Sequence, residues 1–484
     1  MTADLENLLP SHGIPVEYVT TTDGTVAKEP SVCVKTKKKI KMKKKSTKGN
    51  EFFKEGFQQG YYQQSIETLA KGILIGLLLS LVFFLVLNTS RKQDDFSQNV
   101  PDDNNSKCHK RIIGYYNGAR KITQQQIKKL THIIFNGIQM QKDGKIDFGS
   151  DEQKLMFLDM KNKAKNMKSN VQLMFATDAY KDNNKLVAPV MAEPKSRKTW
   201  INSVALFLLE EQLDGVEIVY RWPKTLEDEK NFASFVRELR FKLEKVEKLA
   251  ERKVPYIIGI LSHSYDWTSE DVPLLDDILN YVDFLNVETN NFYAPWHREN
   301  EMAGPLSPLY SFGNDNKSID STMNAYTCKT MKPSKLNIIL TFGGAHWENV
   351  SIDNTQSDDL FFNIDVLVTC SGTRCRWQKH SGTSYAWRSL ETLGLNLEEA
   401  SWHNVAKSPY IWHPNRRSFL TFENERSLEE KMEYILSKNL GGVTIDRIDQ
   451  DDDWNTLLNA VTSMDMCSGS KFKKEEVKYD CGKL

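Results

Sequence analysis

One apolar stretch of the chain carries the residues whose types and spacing could do chemistry. LDGVEIVYRWP at residues 213–223 contains Asp214, Glu217, Val219 and Arg221. Side chains alternate along a strand, so positions 217, 219 and 221 share one face. A carboxylate such as Glu217 can act as a general acid or base, whereas an arginine holds its proton up to a pKa of about 12 and can do neither. The stretch therefore predicts a polar strand face with one group able to move a proton.

Short apolar runs separated by helical patterns surround this stretch. The runs are nearly continuous rather than alternating, which is typical of strands buried on both faces of a parallel sheet. The predicted strands cover residues 111–116, 132–140, 171–175, 215–220, 255–261, 282–287, 336–342 and 442–445. The predicted helices cover residues 152–167, 199–213, 226–252, 271–281 and 428–440. This alternation predicts an α/β fold, a closed (β/α)8 TIM barrel. An open doubly wound sheet is the alternative, and it is disfavoured because no GxGxxG turn follows the first strand.

Composition limits the partners. The 484 residues carry 64 basic and 64 acidic side chains, so no overall charge attracts the chain to nucleic acid. With 40% hydrophobic residues, the chain is not disordered as a whole. Residues 1–71 differ, because nine lysines fall between Lys35 and Lys48 and no hydrophobic period is sustained. We expect a disordered cytosolic tail there.

Residues 72–90 are uncharged and strongly apolar, and this length can cross a bilayer as one helix. A soluble core helix is the weaker alternative. Six of the seven cysteines follow this run, as do the glycosylation candidates Asn104, Asn316 and Asn349. Both features are typical of an oxidising compartment. The sequence thus predicts a single-pass type II membrane protein with an uncleaved signal anchor and a stalk at 91–109. Its C-terminal part would be extracellular or in the secretory-pathway lumen.

Four cysteines are candidates for local disulfides. Cys370 and Cys375 flank a four-residue turn, and Cys467 and Cys481 lie at the two ends of a polar C-terminal tail at 466–484. Six cysteines permit fifteen pairings, so the connectivity stays open at this point.

Six segments resemble the family 18 glycoside hydrolases, the chitinase family, in the order in which that family has them. They are RIIGYYNG at 111–118, LTHIIFNGIQM at 130–140, LDGVEIVYRWP at 213–223, VDFLNVETNNFY at 282–293, LNIILTFGG at 336–344 and the stretch at 422–452. The resemblance implies a barrel domain at 110–465 with an insertion between its seventh and eighth strands at about 345–421. The order of regions in this chain also resembles that of divergent, membrane-anchored family members found in nematodes.

The family's catalytic motif, DxxDxDxE, aligns here with Asp214, Glu217, Val219 and Arg221. In the family, the final glutamic acid protonates the leaving oxygen, and the aspartate before it orients the substrate's acetamido group. Arginine and valine can supply neither function. The resemblance therefore implies a pseudoenzyme, with a weakly active hydrolase that uses Glu217 or Glu288 as the alternative.

The resemblance also implies a groove at the barrel mouth for a chitin-like glycan or a protein partner. Its candidate lining residues are Tyr115, Tyr180, Trp222, Glu288, Asn290, Tyr293, Trp296, Phe342, Trp347 and Asp446. Asp446 stands where the family has a sugar-stacking tryptophan, and no cofactor, metal or nucleic acid is expected. A structural ectodomain with no sugar site is a further alternative. We expect Arg221 to pair with Asp446, Glu288 or Glu217, because a guanidinium is costly to bury alone.

Overall fold

Eight parallel strands close a barrel in the computed structural model of the chain. The structure describes residues 110–177, 183–221, 223–264, 273–295, 302–311, 316–351, 362–363, 367–371, 374–378, 382–394, 396–466, 479 and 481. The barrel strands are β1 (Arg111–Tyr116), β2 (His132–Phe135), β3 (Gln172–Ala176), β4 (Gly215–Val219), β5 (Ile257–Ser262), β6 (Phe284–Val287), β7 (Leu336–Thr341) and β8 (Gly442–Asp446). Each strand pairs with its neighbours in chain order, and β8 pairs with β1. The predicted TIM barrel is confirmed.

Helices cover the outside of the barrel. They are α1 (Gln124–Lys129), α2 (Asp151–Asn166), α3 (Asn183–Ala192), α4 (Pro194–Glu210), α5 (Leu226–Leu249), α6 (Pro273–Leu279), α7 (Ile319–Thr330), α8 (Glu425–Ser437) and α9 (Thr456–Ser463). Local chemistry sets their starts: Thr225 and Asn424 form capping boxes at α5 and α8, and Pro194 begins α4 behind the Glu193 cap. The apolar faces of α5 and α8 then pack towards the strands, as the amphipathic patterns predict.

The closing seam between β1 and β8 needs a glycine. Gly442 has a φ of 154°, and a Cβ there would lie 2.0 Å from the carbonyl oxygen of Arg111. Only glycine allows the backbones to approach this closely. The seam holds Arg111 opposite Gly442 and Ile113 opposite Thr444, which sets the register at which the barrel closes.

The predicted strand at 132–140 is wrong in its length. β2 ends at Phe135, and Ile138–Met140 instead forms a separate antiparallel pair with Ile146–Phe148. The chain turns at Asn136 and Gly137, where a Cβ on the glycine would lie 2.8 Å from the Phe135 ring. The turn brings Asn136 to the mouth of the barrel.

A five-stranded antiparallel sheet lies between β7 and β8 in the chain. Its strands are, in spatial order, Gly382–Ala386, Gly343–Trp347, Ser418–Phe422, Ser408–His413 and Ser401–His403. A separate two-stranded sheet pairs Leu367–Ser371 with Arg374–Gln378, and it places Cys370 opposite Cys375. Their disulfide stays a prediction.

The predicted pairing of Cys467 with Cys481 is wrong. Cys481 forms a disulfide with Cys328 on α7 instead, a residue 153 positions away in the chain. Tyr479 also donates a hydrogen bond to the carbonyl oxygen of Lys438. The chain end is therefore attached to the outside of the barrel. Sequence proximity suggested the local pair, whereas the tertiary structure places Cys481 next to Cys328.

Within the described ranges, no helix is long and apolar enough to span a membrane. The predicted cytosolic tail, signal anchor and stalk at 1–109 lie outside the described residues, as do Asn104 and Cys467.

Candidate functional site

The C-terminal ends of the barrel strands converge on a small polar pocket of about 50 Å³. TIM-barrel active sites lie at this end. The lining residues are Tyr115, Asn136, Ala176, Glu217, Val219, Arg221, Leu261, Glu288, Asn290, Ile339 and Asp446. The structure thus brings together the positions that the motif on β4 predicted and the carboxylates of β6 and β8.

Glu217 lies deepest among these carboxylates and is fully buried on β4. Its Oε1 accepts hydrogen bonds from the Tyr115 hydroxyl at 2.8 Å and from Nδ2 of Asn286 at 2.7 Å. Burial and the adjacent Glu217 charge raise the pKa of Tyr115 well above its usual value, so the phenol keeps its proton and donates it in the hydrogen bond. These bonds hold Glu217 in place and satisfy one of its oxygens.

A chain of hydrogen bonds continues from this group towards the barrel floor. Oδ1 of Asn286 accepts from Nδ2 of Asn337 at 2.8 Å and from the hydroxyl of Thr444 at 2.7 Å. Oδ1 of Asn337 in turn accepts from Nε of Arg111 at 3.0 Å. The barrel interior therefore contains a connected polar column, and breaking any link would leave a buried group unsatisfied.

Arg221 acts electrostatically on two carboxylates across the mouth. Burial raises the pKa of Glu288 and of Asp446, and the positive charge of Arg221 works against the rise in both. Arg447 also lowers the pKa of Asp446, and Nδ2 of Asn290 donates to its Oδ2 at 2.8 Å. Arg221 itself is exposed at the rim. The electrostatic part of the predicted pairing is therefore present, and the hydrogen-bonded contact stays a prediction.

Two threonines at the C-terminal ends of barrel strands connect neighbouring strands. The Thr177 hydroxyl accepts from the backbone N–H of Val219 at 3.1 Å, which ties the end of β3 to the motif strand. The Thr289 hydroxyl donates to the carbonyl oxygen of Ile339 at 2.8 Å and accepts from its N–H at 3.0 Å. Both side chains therefore hold the barrel rim rigid.

Asp214, the one unchanged residue of the motif, lies away from the pocket. It precedes β4, where its Oδ2 accepts from the backbone N–H of Leu173 at 2.9 Å and its Oδ1 pairs with Arg252 at 2.8 Å. Its contacts are structural. The motif positions that face the mouth are Glu217, Val219 and Arg221.

Several predicted groove residues do not line this pocket. Tyr293, Phe342 and Trp347 are buried, and the Trp347 ring packs against Phe419. Their assignment to an open groove is wrong, because all three side chains are packed in the hydrophobic core. Tyr180, Trp222 and Trp296 lie outside the described residues.

Sequence reasoning missed two residues at this end of the barrel. Asn136 lines the pocket, and its buried Oδ1 accepts no hydrogen bond among the described residues. Trp454 is 80% exposed. It lies beside Asp453, which pairs with Arg388 at 3.0 Å and contacts Arg120 from the loop after β1. The sequence pattern around an asparagine in a turn, or around a tryptophan in an acidic loop, does not indicate that the residue lies at the barrel mouth. The fold is needed to place both residues there.

No group of three or more His, Cys, Asp or Glu side chains in the described part of the chain is arranged to hold a metal ion. The charged side chains that line the pocket are Glu217, Arg221, Glu288 and Asp446. The protonated forms of Glu288 and Asp446 could donate a proton, since burial raises the pKa of both.

Comparison with known proteins gives consistent matches. The family model Glycosyl hydrolases family 18 matches residues 111–451. Chitinase A1 of Niallia circulans is 23% identical over 299 residues, which are 58% of this chain and 41% of that protein. The chain thus spans less than half the length of that relative.

Solved structures share the fold. An immunomodulatory active chitinase from Trichuris suis has a TM-score of 0.61 at 18% identity, and the match covers 74% of this chain and 100% of that one. A chitinase-like agglutinin from Robinia pseudoacacia has a TM-score of 0.59 at 16% identity, covering 72% and 98%. At these identities the likeness establishes the barrel.

Proposed function

The chain belongs to glycosyl hydrolase family 18, and from that membership we propose that it binds a chitin-like glycan at the barrel mouth without cleaving it. The observation that carries this proposal is the composition of the mouth. Arg221 and Val219 occupy the two positions that need an acid, and both line the pocket. The fold itself is compatible with either role, since it occurs in a chitinase and in a chitinase-like agglutinin.

The size of the pocket restricts where a sugar would bind. About 50 Å³ has room for a few water molecules, each of which needs roughly 10–15 Å³. Pockets that enclose small organic ligands measure about 300–1,000 Å³. The innermost position is therefore too small for a sugar ring, and the glycan would lie across the rim above Arg221.

Trp454 offers an exposed ring for such a glycan. The loop that carries it is held in place, because Asp452 accepts from the indole N–H of Trp387 at 3.3 Å and from the backbone N–H of Trp454 at 3.0 Å. Sugar rings present apolar C–H faces that pack on aromatic rings, so a rigid exposed tryptophan is a suitable platform.

We expect Trp454→Ala to weaken binding of chitotetraose about tenfold, which is about 1.4 kcal/mol. Titration calorimetry with the purified full-length protein measures this change. Phe241→Ala is the matched control, because Phe241 is a 55% exposed aromatic on α5 that does not line the mouth. Equal loss in both variants, or unchanged affinity in Trp454→Ala, contradicts the rim site. If the unmutated protein binds no chitotetraose, the ectodomain is a protein-binding or structural one.

We also propose that residues 72–90 anchor the chain as a single-pass type II membrane protein. Asn316 then faces an oxidising lumen, and it is exposed beside the start of α7. We expect protein from a eukaryotic host to carry a glycan that peptide N-glycosidase removes, and Asn316→Gln to abolish the mass shift of the peptide spanning that site. An unmodified Asn316 in secretory-pathway membranes would contradict the orientation.

A further inference from the structure

The opposite end of the barrel contains a second, larger cavity with excess positive charge. Its volume is about 710 Å³, well above that of the mouth pocket. The lining residues are Lys110, Arg111, Lys128, Leu130, Thr131, His132, Met167, Lys168, Ser169, Asn170, Val171, Gln172, Ile257, Asp283 and Phe284. The first residues of β1, β2, β3, β5 and β6 are among them, so this cavity lies at the floor of the barrel.

Two cations at the floor are held by neutral acceptors. Nζ of Lys110 donates to Oδ1 of Asn439 at 2.8 Å, and Nε of Arg111 donates to Oδ1 of Asn337 at 3.0 Å. Burial, together with the charge of Arg111, lowers the pKa of Lys110 to about 8. Burial likewise lowers the pKa of Arg111 to about 10. The two positive charges therefore destabilise each other and would gain from an anion.

The carboxylate in this lining is already engaged. Oδ2 of Asp283 accepts from Nη2 of Arg240 at 2.7 Å and from the backbone N–H of Ile258 at 2.8 Å. Asp283 thus offsets the charge of Arg240 as well as that of Arg111. Lys128 and Lys168 add two exposed positive charges at the cavity's edge.

Neutral groups complete the cavity. Burial and the nearby Arg111 lower the pKa of His132 to about 4, so its ring is neutral at physiological pH. The ring lies edge-on to Phe284, with centroids 5.8 Å apart, and the Arg111 guanidinium lies 5.2 Å from the centroid of the same Phe284 ring. The cavity therefore combines a cationic wall with neutral and apolar side chains, among them Met167 and Ile257, that could contact an organic group.

We propose that this floor cavity binds a small molecule through a phosphate group, held by Arg111, Lys110, Lys128 and Lys168. Nε of Arg111 donates to Asn337 and its Nη2 donates to the carbonyl oxygen of Ser334. Arg111 would therefore contribute its positive charge and its remaining N–H groups, and the lysines add point charges. A phosphate dianion also suits a lining with four cations and one engaged carboxylate better than a carboxylate ligand does. The volume leaves room for the organic part of the ligand. This site is independent of glycan binding, because the two cavities lie at opposite ends of the barrel.

Titration of the full-length protein with inorganic phosphate and with glucose 6-phosphate tests the proposal. We expect both to bind, the ester more tightly, and the double variant Lys128→Glu with Lys168→Glu to bind at least tenfold more weakly. Both lysines are exposed, so these changes leave the core intact. The matched control is the double variant Lys230→Glu with Lys245→Glu, which reverses the charge of two exposed lysines on α5. We expect this control to keep full affinity.

The source of the phosphate group is tested separately. Vesicles of phosphatidylcholine with and without phosphatidic acid report on a lipid headgroup, whereas glucose 6-phosphate reports on a soluble ester. If the double variant Lys128→Glu with Lys168→Glu weakens binding to one of these probes, the result supports the site. The probe that responds then identifies the source of the phosphate group. Absence of binding to every probe overturns the proposal, and so does an equal loss in the Lys230 and Lys245 control, which would indicate nonspecific attraction to positive charge.

Discussion

Neither the protein nor its Arg221→Glu variant is expected to release product from chitotetraose above the rate of a protein-free blank. Proton transfer by a positioned acid contributes about 10²–10⁴ in rate, and Arg221 cannot supply it near neutral pH. Restoring the acid alone leaves Val219, which has no polar atom to orient the acetamido group. It also leaves Asp446 and a space of about 50 Å³ where the innermost sugar would lie. Product analysis by chromatography, with chitinase A1 of Niallia circulans as the positive control, measures this directly.

A displaced carboxylate is the outcome that would contradict this expectation. Glu288 is the stronger candidate, because burial raises its pKa towards the range of a useful general acid. Glu217 accepts two hydrogen bonds through Oε1, from Tyr115 and from Asn286, which fix the position of its carboxylate. Turnover that disappears in Glu288→Gln or Glu217→Gln would show that the protein is a hydrolase with a relocated acid. Turnover that survives both changes would indicate a contaminating enzyme.

Arg221→Met is expected to lower the free energy of unfolding at pH 7. Without the guanidinium, Glu288 and Asp446 keep their burial and lose the offsetting charge of Arg221, while Asp446 still has that of Arg447. Removing one partner of a buried pair costs about 3–5 kcal/mol, and exposed pairs contribute about 0.2–1 kcal/mol. Arg221 is exposed while its partners are half-buried, so we expect an intermediate loss of about 1–3 kcal/mol. Denaturant unfolding of the full-length protein followed by tryptophan fluorescence measures the loss.

The effect of Arg221→Met should depend on pH in a defined direction. The folded-state pKa values of Glu288 and Asp446 are raised, so between the unfolded and folded values the folded protein binds more protons than the unfolded chain. Their contribution to stability therefore falls as pH rises through the folded pKa. The variant raises both pKa values further. Its penalty should be largest at neutral pH and should fall towards zero as the pH drops below the ordinary carboxylate pKa values of about 4, where these carboxyls are protonated in the folded and the unfolded protein alike.

Arg416→Met is the matched control for this experiment. Arg416 is also exposed, and it lies in a short turn of the inserted region rather than at the mouth. A change within about 0.5 kcal/mol is expected there, as for most surface substitutions. If Arg221→Met is equally neutral, or if its penalty does not change with pH, the coupling across the mouth contributes nothing to stability.

Local patterns in the sequence were sufficient for the barrel. Continuous apolar runs with helical stretches between them predicted all eight strands, because a strand buried on both faces must be apolar along its length. The run at 132–140 misled because its second half is apolar too, and only the turn at Gly137 separates two strands. The hydrophobic period and the composition of a segment indicate whether it is buried. They do not indicate which strand it pairs with.

The sequence by itself also determined the chemistry at the mouth, since alternation on β4 sets Glu217, Val219 and Arg221 on one face whatever surrounds them. Only the tertiary structure decided which other groups meet that face. Asn286 reaches Glu217 from β6, Asp446 comes from β8, and neither distance can be read from spacing in the chain. Aromatic residue type was equally uninformative, because Trp347, in a strand of the five-stranded sheet, is buried while Trp454 is exposed. The physical reason is that an aromatic ring gains from burial and from contact with a ligand alike, so only its packed neighbours show which one applies.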